Sequence, residues 1–223
     1  MKKVLLASAS LFALSAFAPV MAADLAARPY TKAPVAPAAA YNWTGFYLGG
    51  FGGYAWENTS TDPKMKGGFA GGTVGYNWQA SNIVLGLEAD GGWADVSATA
   101  GTPGVLAVTS RINSLGTVRG RVGVAFDQVL LYGTGGFAWI NNKLTADVLG
   151  VLASDSQFHT GWTLGAGVEA FFAPQWSVKG EYLYRSLGSE NYFAGTVSSG
   201  TLNLHSVQVG VNYHFGGPVV AKY

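Results

Sequence analysis

From Trp43 to Phe215 apolar and polar side chains alternate with period two, and the charges within the alternating runs keep to one parity. That pattern marks strands whose two faces meet unlike surroundings. Eight runs can be delimited: 46–56, 68–78, 83–94, 111–126, 129–141, 159–172, 176–186 and 203–215. Most reach or exceed the roughly 9–11 residues a tilted strand needs to cross a bilayer, and several are far longer than the mode of about 5–6 in soluble sheets. Short connections, 79–82, 127–128 and 173–175, follow the second, fourth and sixth runs, and the other four connections are long. Three tight turns alternating with four long loops predict an all-β fold: an eight-stranded antiparallel up-and-down transmembrane β-barrel with both termini at the short-turn end.

Which face is apolar separates a soluble barrel from a membrane barrel. In the third run Ile83, Leu85, Leu87, Ala89 and Trp93 oppose Glu88 and Asp90, and in the fourth Val118, Val122, Val124 and Phe126 oppose Arg119 and Arg121. Glu169 opposes Leu164, Ala166, Val168 and Phe172 in the sixth, and Lys179, Glu181 and Arg185 oppose Trp176, Val178, Tyr182 and Tyr184 in the seventh. An eight-stranded interior holds only side chains or one small ligand. It is too narrow for Trp78, Trp93, Phe126, Phe172, Trp176, Tyr182, Tyr184, Tyr213 and Phe215, which therefore belong on the lipid side, many near strand ends as interfacial girdles. A lipid-facing Arg or Lys at mid-bilayer would cost about 2–4 kcal/mol, so the charges belong in the lumen.

The turn at 173–175 sets Phe172 opposite Trp176 and, three residues further, Glu169 opposite Lys179. Counting from the strand ends brings Glu88 and Asp90 level with Arg121 and Arg119. Four acids (Glu88, Asp90, Glu169, Glu181) against four bases (Arg119, Arg121, Lys179, Arg185) predict a mutually paired structural network that plugs the barrel. The functional alternative for the same charges is an ion pathway or an acid-base site. No serine or histidine stands in a nucleophile-activating setting, so no catalytic residue is assigned. His159, His205 and His214 are scattered rather than spaced as metal ligands. The glycines around Gly71, Gly72 and Gly75 precede no helix and form no phosphate loop. No metal or cofactor is expected.

Absence of cysteine removes disulfides and thiolate sites, and a net charge of +1 without a basic cluster argues against nucleic acid as a partner. Lys2 and Lys3 precede an apolar run from Val4 to Ala18, followed by Pro19 and the small-residue stretch ending at Ala22 and Ala23. This predicts a cleaved signal peptide over 1–22, the apolar run being too short for a membrane span. Residues 23–42, rich in Ala and Pro, read as a periplasmic linker, with a contact arm as the alternative. Residues 43–217 then form the barrel and 218–223 a tail.

Ordered motifs along the chain carry a family likeness: Trp43-Thr44-Gly45-Phe46-Tyr47, Val118-Arg119-Gly120-Arg121-Val122-Gly123, and Leu131-Tyr132-Gly133-Thr134-Gly135-Gly136-Phe137-Ala138. Gly161-Trp162-Thr163-Leu164-Gly165-Ala166-Gly167-Val168-Glu169 and the ending Gly210-Val211-Asn212-Tyr213-His214-Phe215 complete the set. Together they resemble the small outer-membrane immunogenic proteins, a porin-like family with OmpA-type barrels. The resemblance implies an outer-membrane barrel of a Gram-negative bacterium in contact with outer-membrane lipids. It further implies a structural or surface-antigen role, with some members proposed as porins or haem binders and no catalytic residues to transfer. Such barrels commonly end on an aromatic residue read by the barrel assembly machinery, here either Phe215 or Tyr223. The expected function is a non-enzymatic envelope protein presenting four loops to host or other surface ligands, with a narrow channel as the alternative. A lipid-modifying enzyme ranks lower, because loops 57–66, 95–110, 143–157 and 187–202 contain no histidine.

Overall fold

The structure, a computed structural model, describes residues 41–58, 62–189, 191–192, 197–198 and 200–216. The signal peptide at 1–22, the linker up to residue 40 and the tail at 218–223 lie outside the described residues. The elements are β1 (Gly45–Glu57), β2 (Lys66–Ala80), β3 (Ile83–Thr102), β4 (Leu106–Phe126), β5 (Val129–Val148), β6 (Val151–Ala173), β7 (Trp176–Leu187), the two-residue β8 (Asn191–Tyr192) and β9 (Val197–Ser198), and β10 (Leu202–His214). The eight long strands close into one antiparallel ring, with β1 joined to β10, and β8 pairs only with β9. Closure removes the sheet edges whose unpaired backbone groups could not be tolerated in lipid.

Following register partners round the ring from Trp56 leads through His205, Tyr184, Leu164, Gly135, Gly120, Leu87 and Tyr76 back to β1 at Phe46, displaced by ten residues. This stagger is what tilts the strands and sets the barrel's width. It also explains one misplaced register. Glu88 faces Arg119, with Asp90 opposite Thr117 and Gly86 opposite Arg121. Counting from strand ends sets Glu88 level with Arg121, which assumes that neighbouring ends are level, and tilt makes them unequal.

Alternation sorts side chains as their chemistry requires. Trp78, Trp93, Phe126, Phe172, Trp176, Tyr182 and Phe215 are exposed on the outer wall, and Tyr184 and Tyr213 share their face, half-buried against neighbours. All but Tyr182, which lies mid-wall, fall into two bands that further outward aromatics complete. Phe46, Trp78, Phe126, Phe172, Trp176, Tyr213 and Phe215 circle the tight-turn end, while Trp56, Trp93, Trp139, Trp162 and Tyr184 form a second belt nearer the other end.

The tight turns are two residues each: Ser81–Asn82, Asp127–Gln128 and Pro174–Gln175. At the third, Ala173 pairs with Trp176, so Phe172 is not opposite Trp176 as expected. A bulge between Phe171 and Ala173 absorbs the extra residue and restores the register beyond it, where Phe171 faces Ser177 and Glu169 faces Lys179.

Two of the four expected long loops are strand instead. β3 and β4 continue to a turn at 103–105, and β5 and β6 to a turn at Leu149–Gly150 with φ of 52° and 83°. Positive φ at both central residues is the hairpin geometry whose twist matches the flanking strands. Asp147 ties the two tips together, accepting from the Gly150 N–H at 3.0 Å and the Gly104 N–H at 2.8 Å, while the Leu149 N–H donates to the Val105 carbonyl.

Candidate functional site

All eight charges assigned to the lumen lie inside the barrel, each no more than 5% exposed. They form a middle layer between two apolar plugs. At the tight-turn end Trp43, Val84, Ala125, Leu130, Tyr132 and Phe171 pack with Tyr41. Trp43 is held over this mouth by its backbone N–H on Gln79 Oε1 (2.8 Å), its indole N–H on the Asp127 carbonyl (3.3 Å) and its ring against Phe171. Tyr41 stacks on Phe171 at 5.1 Å, so the last residues counted as linker belong to the plug. At the hairpin end Phe51, Phe69, Leu115, Ala138, Ile140 and Leu204, among others, close the lumen.

Arg119 is the hub of the middle layer. Its Nη2 donates to Glu88 and to Asp90 Oδ2 (2.7 Å), and its Nη1 to Glu181 Oε1 (2.8 Å). A planar guanidinium carries five fixed donors, so one side chain can tie β3 and β7 to β4. Arg121 donates to Glu169 Oε2 at 2.7 Å and to the Tyr47 hydroxyl at 3.1 Å, with its guanidinium 4.1 Å from the centre of the Tyr132 ring.

Glu169 and Lys179 are cross-strand neighbours, but they form no ion pair. Lys179 Nζ reaches Glu88 Oε2 at 2.9 Å, and Glu169 turns to Arg121. The reason is geometric: inward side chains in a narrow barrel converge, so a group on the far wall can be nearer than the next strand. Arg185 departs from the expected pairing as well. Among the described residues it makes no ion pair, donating instead to Ser206 Oγ at 2.6 Å beside the Phe69 ring.

Several polar members were not singled out in the sequence. The Tyr47 hydroxyl donates to Glu88 Oε2 at 2.8 Å. Ser177 Oγ (2.6 Å) and Asn212 Nδ2 (2.7 Å) donate to Glu169 Oε1, with His214 Nε2 at 3.3 Å from the same oxygen. Gln208 donates to Glu181 Oε2 at 2.6 Å and Thr117 to Asp90 Oδ2 at 2.8 Å. The signal was available: Gln208, Asn212 and His214 occupy the parity opposite Val207, Val209, Val211 and Tyr213.

A closed eight-stranded barrel with an apolar, aromatic-banded exterior and a charged interior has the polarity of a protein immersed in lipid. Residues 4–215 match the family model described as the outer membrane protein beta-barrel domain. The chain belongs to that family. This outer-membrane β-barrel is 36% identical to the 31 kDa outer-membrane immunogenic protein of Brucella melitensis biotype 1, over 96% of this chain and all of that one. It is 37% identical to the 22 kDa outer membrane protein of Rhizobium leguminosarum bv. viciae, over 82% of each. Against the 25 kDa outer-membrane immunogenic protein of Brucella abortus biovar 1 the identity is 35%, over 96% of this chain and 99% of that one. The chain is thus an outer-membrane surface protein.

Proposed function

We propose that this barrel is a non-enzymatic, sealed anchor that stabilises the outer membrane and holds its hairpins on the outer surface. The supporting observation is the three-layer lumen, in which a hydrogen-bonded charge layer is capped at both ends by packed apolar side chains. A water-filled pore needs continuous polar lining, and neither plug offers it. In this reading the tight turns face the periplasm, a cleaved signal peptide at 1–22 directs export, and Phe215 ends the last strand for the assembly machinery. The Phe215 N–H donates to the Phe46 carbonyl at 2.9 Å, across the join of β10 and β1, which supports this reading. Host or other surface ligands would meet the hairpins, not the lumen.

The competing function is a narrow channel for ions or very small solutes. Planar-bilayer recording of the purified protein separates the two. The sealed barrel gives a flat baseline after insertion, and steady, reproducible openings would reject it.

A further inference from the structure

From Trp56 in the second aromatic belt, one row of register partners climbs across six strands. Trp56 pairs with Lys66, Lys66 with Ser97, Ser97 with Arg111, Arg111 with Lys143 and Lys143 with Ser156. Strict alternation from Arg119 and Arg121 would send Arg111 into the lumen. A bulge in β4 at Asn113 reverses the parity, burying Ile112 and turning Arg111 outward with its side chain 55% exposed. Arg111 and Lys143 therefore stand directly opposite each other on neighbouring strands, an arrangement of like charges that is destabilising unless an anion lies between them. Asp95 answers only part of this, touching Arg111 Nε at 3.3 Å. Lys66 and Lys143 have no carboxylate partner among the described residues.

The depth of the row indicates what kind of anion. Lys143 lies four residues beyond Trp139 on β5, roughly 10 Å above the belt for a tilted strand. That is headgroup depth rather than hydrocarbon. Beneath Lys66 the outward positions of β2 are Gly68, Ala70 and Gly72, and a depression lined by Gly50, Gly52, Ala70, Trp93, Val209 and Val211 leaves room for acyl chains.

We propose that Lys66, Arg111 and Lys143 bind the phosphates of a phosphorylated glycolipid in the outer leaflet, with its chains lying over the small-residue face below. This rests on the membrane orientation proposed above. Among the described residues the three cations exceed Asp95, the acid that touches the row, by two charges, all on the β2–β5 side, so the lipid is held on one flank of the barrel.

The test places the full-length protein in neutral phospholipid nanodiscs containing a small fraction of diphosphoryl lipid A, and counts co-purifying lipid A. Wild type should enrich it, and dephosphorylated lipid A should show no enrichment. Arg111→Gln with Lys143→Gln should lower enrichment roughly 25-fold, about 5-fold for each charge removed near an anionic surface, while Lys64→Gln, off the row, should change nothing. Asp95→Asn should raise it. Gel mobility with and without heating verifies the folded barrel for each variant, and a wild type that gave no folded, inserted barrel would count against the membrane reading, not against this site. Equal enrichment of the dephosphorylated lipid, retention by the double variant, or displacement by an equal concentration of inorganic phosphate would each overturn the proposal.

Discussion

Replacing Arg119 with methionine should destabilise the barrel by about 3–5 kcal/mol, the cost of breaking a buried ion pair from one side, measured by urea unfolding in lipid vesicles. Arg119 neutralises three carboxylates on two other strands, Glu88, Asp90 and Glu181. Without it the lumen keeps Lys179, engaged by Glu88, Arg121, engaged chiefly by Glu169, and Arg185, which donates to Ser206 and forms no ion pair with any of the three carboxylates. Adding Glu181→Gln and Asp90→Asn to Arg119→Met should recover part of the loss, since removing all members of a buried cluster is far cheaper than orphaning some. If the three changes are additive, Arg119 does not organise the layer.

The second large effect concerns Gly71 and vanishes at the next residue. Gly71 points inward under the Phe51 ring, and a Cβ there would lie 2.3 Å from the Gly91 carbonyl oxygen, 2.7 Å from Gly92 Cα and 2.8 Å from Phe51 Cζ. Two of those three atoms are β3 backbone, which cannot yield without separating the strands. Gly71→Val should therefore cost roughly 3 kcal/mol, the upper end of the usual overpacking range. Gly72 points outward, with nothing nearer to its added Cβ than the Gly49 carbonyl at 3.7 Å, so Gly72→Ala should leave the urea midpoint unchanged. Equal effects at both positions would mean that the parity of β2 is wrong.

Alternation made the fold legible, because one face of every membrane strand meets lipid and the other a crowded polar interior. That contrast exists only within the bilayer. Toward the hairpin tips both faces of β3 to β6 are largely exposed, the period fades, and the strands through 95–110 and 143–157 read as loops although backbone pairing continues. Parity also told which charges face inward, but not which meet. Register between β3 and β4 depends on barrel stagger, and the partners of Lys179 and Glu169 depend on convergence across the lumen, neither of which is encoded in spacing along one strand. The bulge at Asn113 left no mark in composition, and it alone decides that Arg111 faces out. Tyr47 and His214 were readable by parity, but a tyrosine and a histidine among apolar neighbours look like core.

In a membrane-embedded barrel the aromatic wall faces lipid while the charge layer and its plugs are sealed inside. Tryptophan quenching by brominated lipid chains addresses both halves at once in variants that each retain one tryptophan. Trp43 is fully buried in the plug, whereas Trp93 is 81% exposed on the outer wall and Trp176 lies on the same face. Trp93 and Trp176 should be strongly quenched and Trp43 not at all. Quenching of Trp43 comparable to that of Trp93, or a Trp176 untouched by bromolipid, would contradict it.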